Sequence, residues 1–427
     1  MTDLAAVEAA ITDAHRSDWA GMLAATARVA RDLDLAEECV QEAYASAMKS
    51  WVDAGIPDKP AAWLTTAAKR RAIDAIRHDR ALRSRLPLLV EPEEVLEEAT
   101  MQELSHGFAE DPSEAVPDDR LRLIFTCCHP ALAQEAQVAL TLRLVCGVPA
   151  PDIARAFLVS ETTMAARITR PKKKISTARI PYRVPRPAEL PDRLRAVLAV
   201  IHLLFTAGHT APSGASLVRP ELVDRAIHLA RMLGQLMPDE VEVRGLLALL
   251  LATDARRATR VDVDGRLLRL KDQDRSQWDW AALAEADDII LGCLRSGPPG
   301  RYVLQAAIAS LYARAPSYEQ TDWPQIVTLY DKLLDVWPSP VVAINRVVPL
   351  AMVTGPETAL AELEKLERDG RLSGYQYLPA IKADLLTRLG RTRQATAAYE
   401  QALALAANEA ERAFLTEQIA KGCAGDD

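Results

Sequence analysis

The chain has 427 residues, with 49% hydrophobic and only 5% aromatic side chains, and a net charge of -8. That length exceeds what one hydrophobic core serves, so two or three domains are expected, built from Ala, Leu and Val helices. The charge excludes a globally basic nucleic-acid binder, so any polyanion contact must rest on local basic patches. No apolar run approaches the ~20 residues of a membrane helix, and no signal-type segment opens the chain, so the cytosol is the expected location and no membrane partner is expected. The six cysteines include no Cys-x-x-Cys pair, and Cys127-Cys128-His129 lacks a second ligand pair at zinc spacing. They read as reduced core thiols.

The first strong element runs from 34 to 51. Asp34-Leu35-Ala36-Glu37 offers a capping box, and Val40, Ala43, Tyr44, Ala47, Met48 and Trp51 follow at helical spacing. Its exposed side is predicted to carry Glu37, Glu38, Gln41 and Glu42. The next helix, 63 to 80, gathers Leu64, Ala68, Ala72, Ala75 and Ile76 on one side and Lys69, Arg70, Arg77 and Arg80 nearly opposite. An acidic helix beside a basic one points to two different partners.

Residues 91 to 119 carry Glu91, Glu93, Glu94, Glu97, Glu98, Glu103, Glu110, Asp111, Glu114, Asp118 and Asp119 without a Lys or Arg. Such a run reads as a solvated tether. Beyond it, 149 to 175 has the pattern of a helix-turn-helix. Ile153, Ala154 and Phe157 lie on the first helix, Leu158-Val159 in the turn, Ser160 at the N-cap, and Met164 and Ile168 on the core side of the second helix. Arg167, Arg170, Lys172, Lys173, Lys174, Arg179, Arg183 and Arg186 then face a polyanion. Pro171 is predicted to end or kink the second helix near Arg170, leaving Lys172 to Lys174 as a separate phosphate-binding segment.

After the Pro-rich joint 180 to 191 the chain becomes Ala- and Leu-rich. Ile326-x3-Tyr330-x2-Leu333, Ala359-x3-Leu363-x2-Leu366 and Ala395-x3-Tyr399-x2-Ala402 recur near the ~34-residue tetratricopeptide period. Asp272, Asp274, Arg275 and Trp278 are predicted to form a buried salt-bridge and hydrogen-bond knot that fixes two helices. Asp287-Asp288 is followed by Ile289, Ile290 and Leu291, so it does not begin a metal-binding carboxylate set. The scattered histidines read as structural, and there is no Gly-rich phosphate loop, His-Glu-x-x-His or Gly-x-Ser-x-Gly. No catalytic constellation, metal site or cofactor is expected.

The stretches 34 to 51 and 62 to 80 resemble region 2 of extracytoplasmic-function sigma factors of the sigma-70 family, and 119 to 175 resembles their region 4. RLRLIFTCCHPALAQEAQVALTLRLVCG (120 to 147), LKDQDRSQWD (270 to 279) and PSPVVAINR (338 to 346) are similar to the subgroup with a long C-terminal helical extension. The resemblance implies an all-α protein: region 2 over 1 to 86, an acidic linker over 87 to 118, region 4 over 119 to 180, and a helical, tetratricopeptide-like extension over 181 to 427. It implies core RNA polymerase and promoter DNA as partners, and leaves an anti-sigma protein open. Asp34, Glu37, Glu38, Gln41 and Glu42 would dock on polymerase. Trp63, Lys69, Arg70, Arg71, Arg77 and Arg80 would hold the -10 element, with the loop from Ala54 to Ala62 receiving an unstacked base. Ser160, Glu161, Thr162, Thr163, Arg167, Arg170, Lys172 and Lys173 would sit on the -35 element, and the extension would act as a built-in regulator. A helical-repeat adaptor and a polymerase-independent helix-turn-helix regulator are the alternatives. Co-purification with core polymerase separates them.

Overall fold

The structure is a computed structural model and describes residues 4–85, 119–157, 159–211 and 213–423. Among these residues it consists of helices and their connections, with two isolated bridges and no strand. The chain divides into two compact units, Met1–Val200 and Ile201–Asp427. The acidic segment 87 to 118 and Leu158 lie outside the described residues.

In the first unit, α1 (Leu4–Ala30), α2 (Leu33–Ala54) and α3 (Pro60–Arg85) pack against one another. Val40, Ala43, Ala47 and Trp51 of α2 and Leu64, Ala68 and Ala72 of α3 are buried, as their spacing predicts. The cap of α2 stands two residues earlier than expected. Asp32 accepts a hydrogen bond from the Leu35 amide at 2.8 Å, because buried Leu33 already belongs to the helix. Then come α4 (Asp119–Cys127), α5 (Gln134–Leu140) widening into a π turn at Thr141–Val145, α6 (Ala150–Ala156) and α7 (Glu161–Thr177). Five cysteines, Cys39, Cys127, Cys128, Cys146 and Cys293, are buried free thiols.

The helix α7 corrects the expectation drawn from Pro171. It runs unbroken through Pro171 to Thr177. A proline inside a helix costs about 3 kcal/mol, but Pro171, Lys172 and Ile175 are all buried here, and that packing holds the helix together.

The helix α8 (Leu190–His209) contains the division between the units. The second unit continues with α9 (Pro220–Leu236), α10 (Val241–Asp254), α11 (Trp280–Ser296) and α12 (Arg301–Arg314). Three helix pairs follow: α13 (Trp323–Val336) with α14 (Pro340–Thr354), α15 (Pro356–Asp369) with α16 (Tyr377–Arg388), and α17 (Thr392–Leu405) with α18 (Glu409–Cys423). The repeat motifs read from the sequence fall on the first helix of each pair, with Ile326, Ala359 and Ala395 all buried.

Close packing of α10 on α12 depends on Gly245. A Cβ there would stand 2.8 Å from the Val303 amide nitrogen, a backbone atom that cannot swing away. Gly245→Ala should therefore destabilise the second unit by about 1–3 kcal/mol despite the better helix propensity of Ala. A thermal melt unchanged by the substitution would contradict this packing.

The polar constellation at 270 to 279 carries hydrogen bonds of the expected knot but no buried salt bridge. Arg275 lies over the ring of buried Trp278 at 4.6 Å and donates to the carbonyls of Tyr312 at 3.0 Å and Ala315 at 2.8 Å, closing the C-terminal end of α12. The acids are exposed: Asp272 pairs with Arg269 at 3.1 Å, and Asp274 caps a short turn through the Ser276 amide. The free carbonyls at the helix end, not a carboxylate, take up Nη1 of the guanidinium.

Two histidines of this unit make it acid-sensitive. Burial first, then the Arg260 and Arg256 guanidiniums, hold His209 down at about 2, and burial and Arg301 hold His202 at about 4. A base whose folded pKa is depressed takes its proton more readily in the unfolded chain. Each histidine should thus remove up to about 1.4 kcal/mol of stability per pH unit as pH falls below ~6.5. Urea unfolding between pH 7 and 4.5 should show this slope, flattened in His209→Gln; parallel slopes would contradict it.

Candidate nucleic-acid interface

The cationic face of α3 is exposed next to the loop that joins it to α2. Arg70 and Arg77 are exposed and Lys69 is half-buried. Lys69 and Arg70 make no hydrogen bond or ion pair to any described residue, and Arg77 lies 3.9 Å from Asp74 on its own helix. Trp63 packs edge-on against buried Trp51 at 5.5 Å, which fixes the start of α3 beside the loop between Ala54 and Pro60. The side chain of Arg80 lies outside the described residues.

Arg71 is differently placed. Its guanidinium donates to Glu42 and to the Ser46 hydroxyl, both at 2.6 Å, so it ties α3 to α2. The sequence assigned Arg71 and Glu42 to different partners, and the fold pairs them. Both are about half-exposed, 41% and 50%, so the pair is worth only ~0–1 kcal/mol and yields readily to a stronger partner.

The helix-turn-helix forms as its pattern predicts. Ile153, Ala154, Met164 and Ile168 are buried, and Ser160 caps α7 by accepting from the Thr163 amide at 3.2 Å. Ser160, Glu161, Thr162, Thr163, Arg170 and Lys173 are exposed and Arg167 is half-buried. Arg167, Arg170 and Lys173 make no hydrogen bond or ion pair to any described residue, leaving a row of unneutralised cations suited to phosphate or guanine.

Two expected site residues are corrected. Glu37 does not face outward, and Lys172 does not face phosphate. Both side chains are 7% exposed, and Lys172 donates to Glu37 and Asp34 at 2.7 Å each. Arg143 adds a second cation to Glu37. Burial alone would draw the Lys172 ammonium down, yet the hydrogen bonds to Asp34 and Glu37 more than offset it and hold its pKa above the ordinary lysine value. The physical reason is the seam between α1–α3 and the helices α4–α7. Across it, Trp19 also donates to the Leu144 carbonyl at 3.0 Å and Tyr182 to the Ala24 carbonyl at 3.0 Å. Gly147, at φ 68°, brings the backbone against His15 and Trp19, where a Cβ would lie 3.0 Å from both rings.

On α2 this leaves Glu38, Gln41 and Glu42 exposed, together with Asp34 at its start. Arg143 was not singled out in the sequence. The available signal was a lone cation inside the apolar run Leu142-Arg143-Leu144-Val145, which demands a buried anion.

An acid-faced helix beside a cation-faced one, followed by a helix-turn-helix with free arginines, makes a set of surfaces suited to DNA and to a second, different partner. The comparisons agree. Sigma-70 region 2 matches residues 20–81, sigma-70 region 4 matches 122–175, and a family of unknown function (DUF6596) matches 193–293. An uncharacterized protein, R00370 of Rhizobium meliloti (strain 1021), is 42% identical over 419 residues, covering 98% of this chain and 96% of that relative. No solved structure matches. The chain belongs to the sigma-70 family, as an extracytoplasmic-function-like sigma factor with a C-terminal extension.

Proposed function

We propose that the chain binds core RNA polymerase through Glu38, Gln41 and Glu42 of α2 and directs it to promoters, acting by binding and not by catalysis, in the cytosol where polymerase and DNA meet. Lys69, Arg70 and Arg77 hold phosphates of the opening -10 element. Arg167, Arg170 and Lys173, with Ser160 to Thr163, engage the -35 duplex. The observation that supports this reading is the pair of separate exposed cationic faces, largely without carboxylate partners among the described residues, on the elements that match regions 2 and 4. The buried cluster of Glu37, Lys172 and Arg143 joins those regions, so the proposed working cycle includes its opening when α2 meets polymerase. Arg167→Ala should cost ~1–3 kcal/mol and relax preference at a particular -35 position, whereas Lys173→Ala should weaken all sequences alike. Equal loss on every sequence from both would leave no base reader on α7.

The extension is proposed as a built-in regulator, supported by stacked helix pairs of the kind that present a concave surface to a partner. A chain ending at Val200, the limit of the first compact unit, should lose at least roughly tenfold in promoter-directed transcription, about 1.4 kcal/mol of coupling. Rates equal to the full chain would contradict the regulatory role.

A further inference from the structure

We propose that the second unit contains a binding site for a small aromatic anion, with Arg256 as the partner of the anionic group. A cavity of about 1170 Å³ is lined by side chains from α10, α12, α13, α14, α16, α17 and α18. This lies just above the ~300–1,000 Å³ usual for small-molecule sites. Side chains converge on it from helices across the whole unit, the geometry of a pocket more than of a peptide groove.

Its polar lining specifies a negative charge. Arg256 follows the C-terminal end of α10, and its guanidinium makes no hydrogen bond or ion pair to any described residue, while burial presses it below the ordinary arginine range, relieved in part by Tyr312 and reinforced by Arg275. The helix end offers it roughly half a charge. A half-buried cation without a carboxylate is costly unless an anion arrives. Asp384, the one carboxylate among the described lining residues, is already shared between Arg388 at 3.1 Å and Arg269 at 3.9 Å. Lys271, exposed on the lining, adds positive charge that Glu319 counters in part.

The remaining lining specifies rings. Tyr312, Tyr330 and Trp323 all line the cavity. The buried Trp323 indole N–H finds no acceptor among the described residues. Burial raises both phenols far above their ordinary range, so they remain neutral donors. An aromatic lining, neutral donors and one guanidinium without a described partner together select a planar anion.

The probes are 8-anilinonaphthalene-1-sulfonate and its uncharged counterpart N-phenyl-1-naphthylamine, titrated by fluorescence into the natively helical full chain. Neither polymerase nor DNA is involved, so the outcome is separate from the proposed transcriptional role. Both dyes should bind saturably. Arg256→Gln should weaken the sulfonate roughly tenfold and leave the neutral dye within about twofold, and Arg256→Lys should restore most of the sulfonate binding. Ala309→Trp, which fills the cavity from α12, should weaken both. Equal effects of Arg256→Gln on the two dyes would overturn the anion assignment. Absence of saturable binding by either dye would overturn the site, and binding of a Glu-rich oligopeptide in their place would assign the surface to polypeptide.

Discussion

Glu37→Ala is expected to destabilise the first unit by about 3–5 kcal/mol, because it strands the Arg143 guanidinium and leaves buried Lys172 with only the exposed Asp34. Asp34, Glu37, Lys172 and Arg143 balance in charge, and Lys172 and Glu37 are each 7% exposed, so solvent screens little of the loss. Lys172→Met should cost less, since Glu37 keeps Arg143 and Asp34 at 64% exposure stays hydrated. A double-mutant cycle between Glu37 and Lys172 should return a coupling of about 1–3 kcal/mol. The Lys172 contribution should be fully present below pH ~10.4 and lost only as pH rises through its elevated folded value. Additive substitutions would show that the seam is held elsewhere. The same cluster has a functional consequence. If opening it accompanies polymerase binding, Lys172→Met should bind core polymerase more tightly than the native chain, and weaker binding would contradict the proposed opening.

The second large effect concerns α3. Replacing Lys69, Arg70 and Arg77 together by Ala should lower affinity for promoter DNA in the polymerase complex by roughly 100-fold at moderate salt and flatten the dependence of log affinity on log salt by about two to three units. Folding should be unaffected, because Arg70 and Arg77 are exposed and Lys69 has no described partner. Arg71→Ala should behave differently. Its pair with Glu42 is a surface contact, so its loss should shift stability by less than ~1 kcal/mol. An unchanged salt slope in the triple variant would remove α3 from the DNA interface.

Local patterns carried much of this architecture. The buried stripe Leu64, Ala68 and Ala72, the Ser160 cap with Met164 and Ile168 behind it, and the Ala359 and Ala395 positions of the helix pairs were all legible, because each depends on neighbours within a few turns. The fate of Glu37 was not legible. Whether a glutamate on an otherwise polar face meets water or a lysine depends on a partner 135 positions away. Pro171 misled for the same reason: propensity argued for a break, and burial of Pro171, Lys172 and Ile175 overrode it. Arg275 turned to backbone carbonyls at the end of α12, a partner that side-chain spacing in the sequence does not reveal.

Mixing the purified full chain with core RNA polymerase, and measuring both complex formation and promoter-specific run-off transcription, shows whether the chain is a polymerase specificity subunit. A polymerase specificity subunit should give a stable complex, transcripts from defined start sites, and loss of both when Glu38, Gln41 and Glu42 are replaced by Lys while native helicity is retained. A chain that binds promoter DNA but neither associates with core polymerase nor supports specific transcripts would contradict that role.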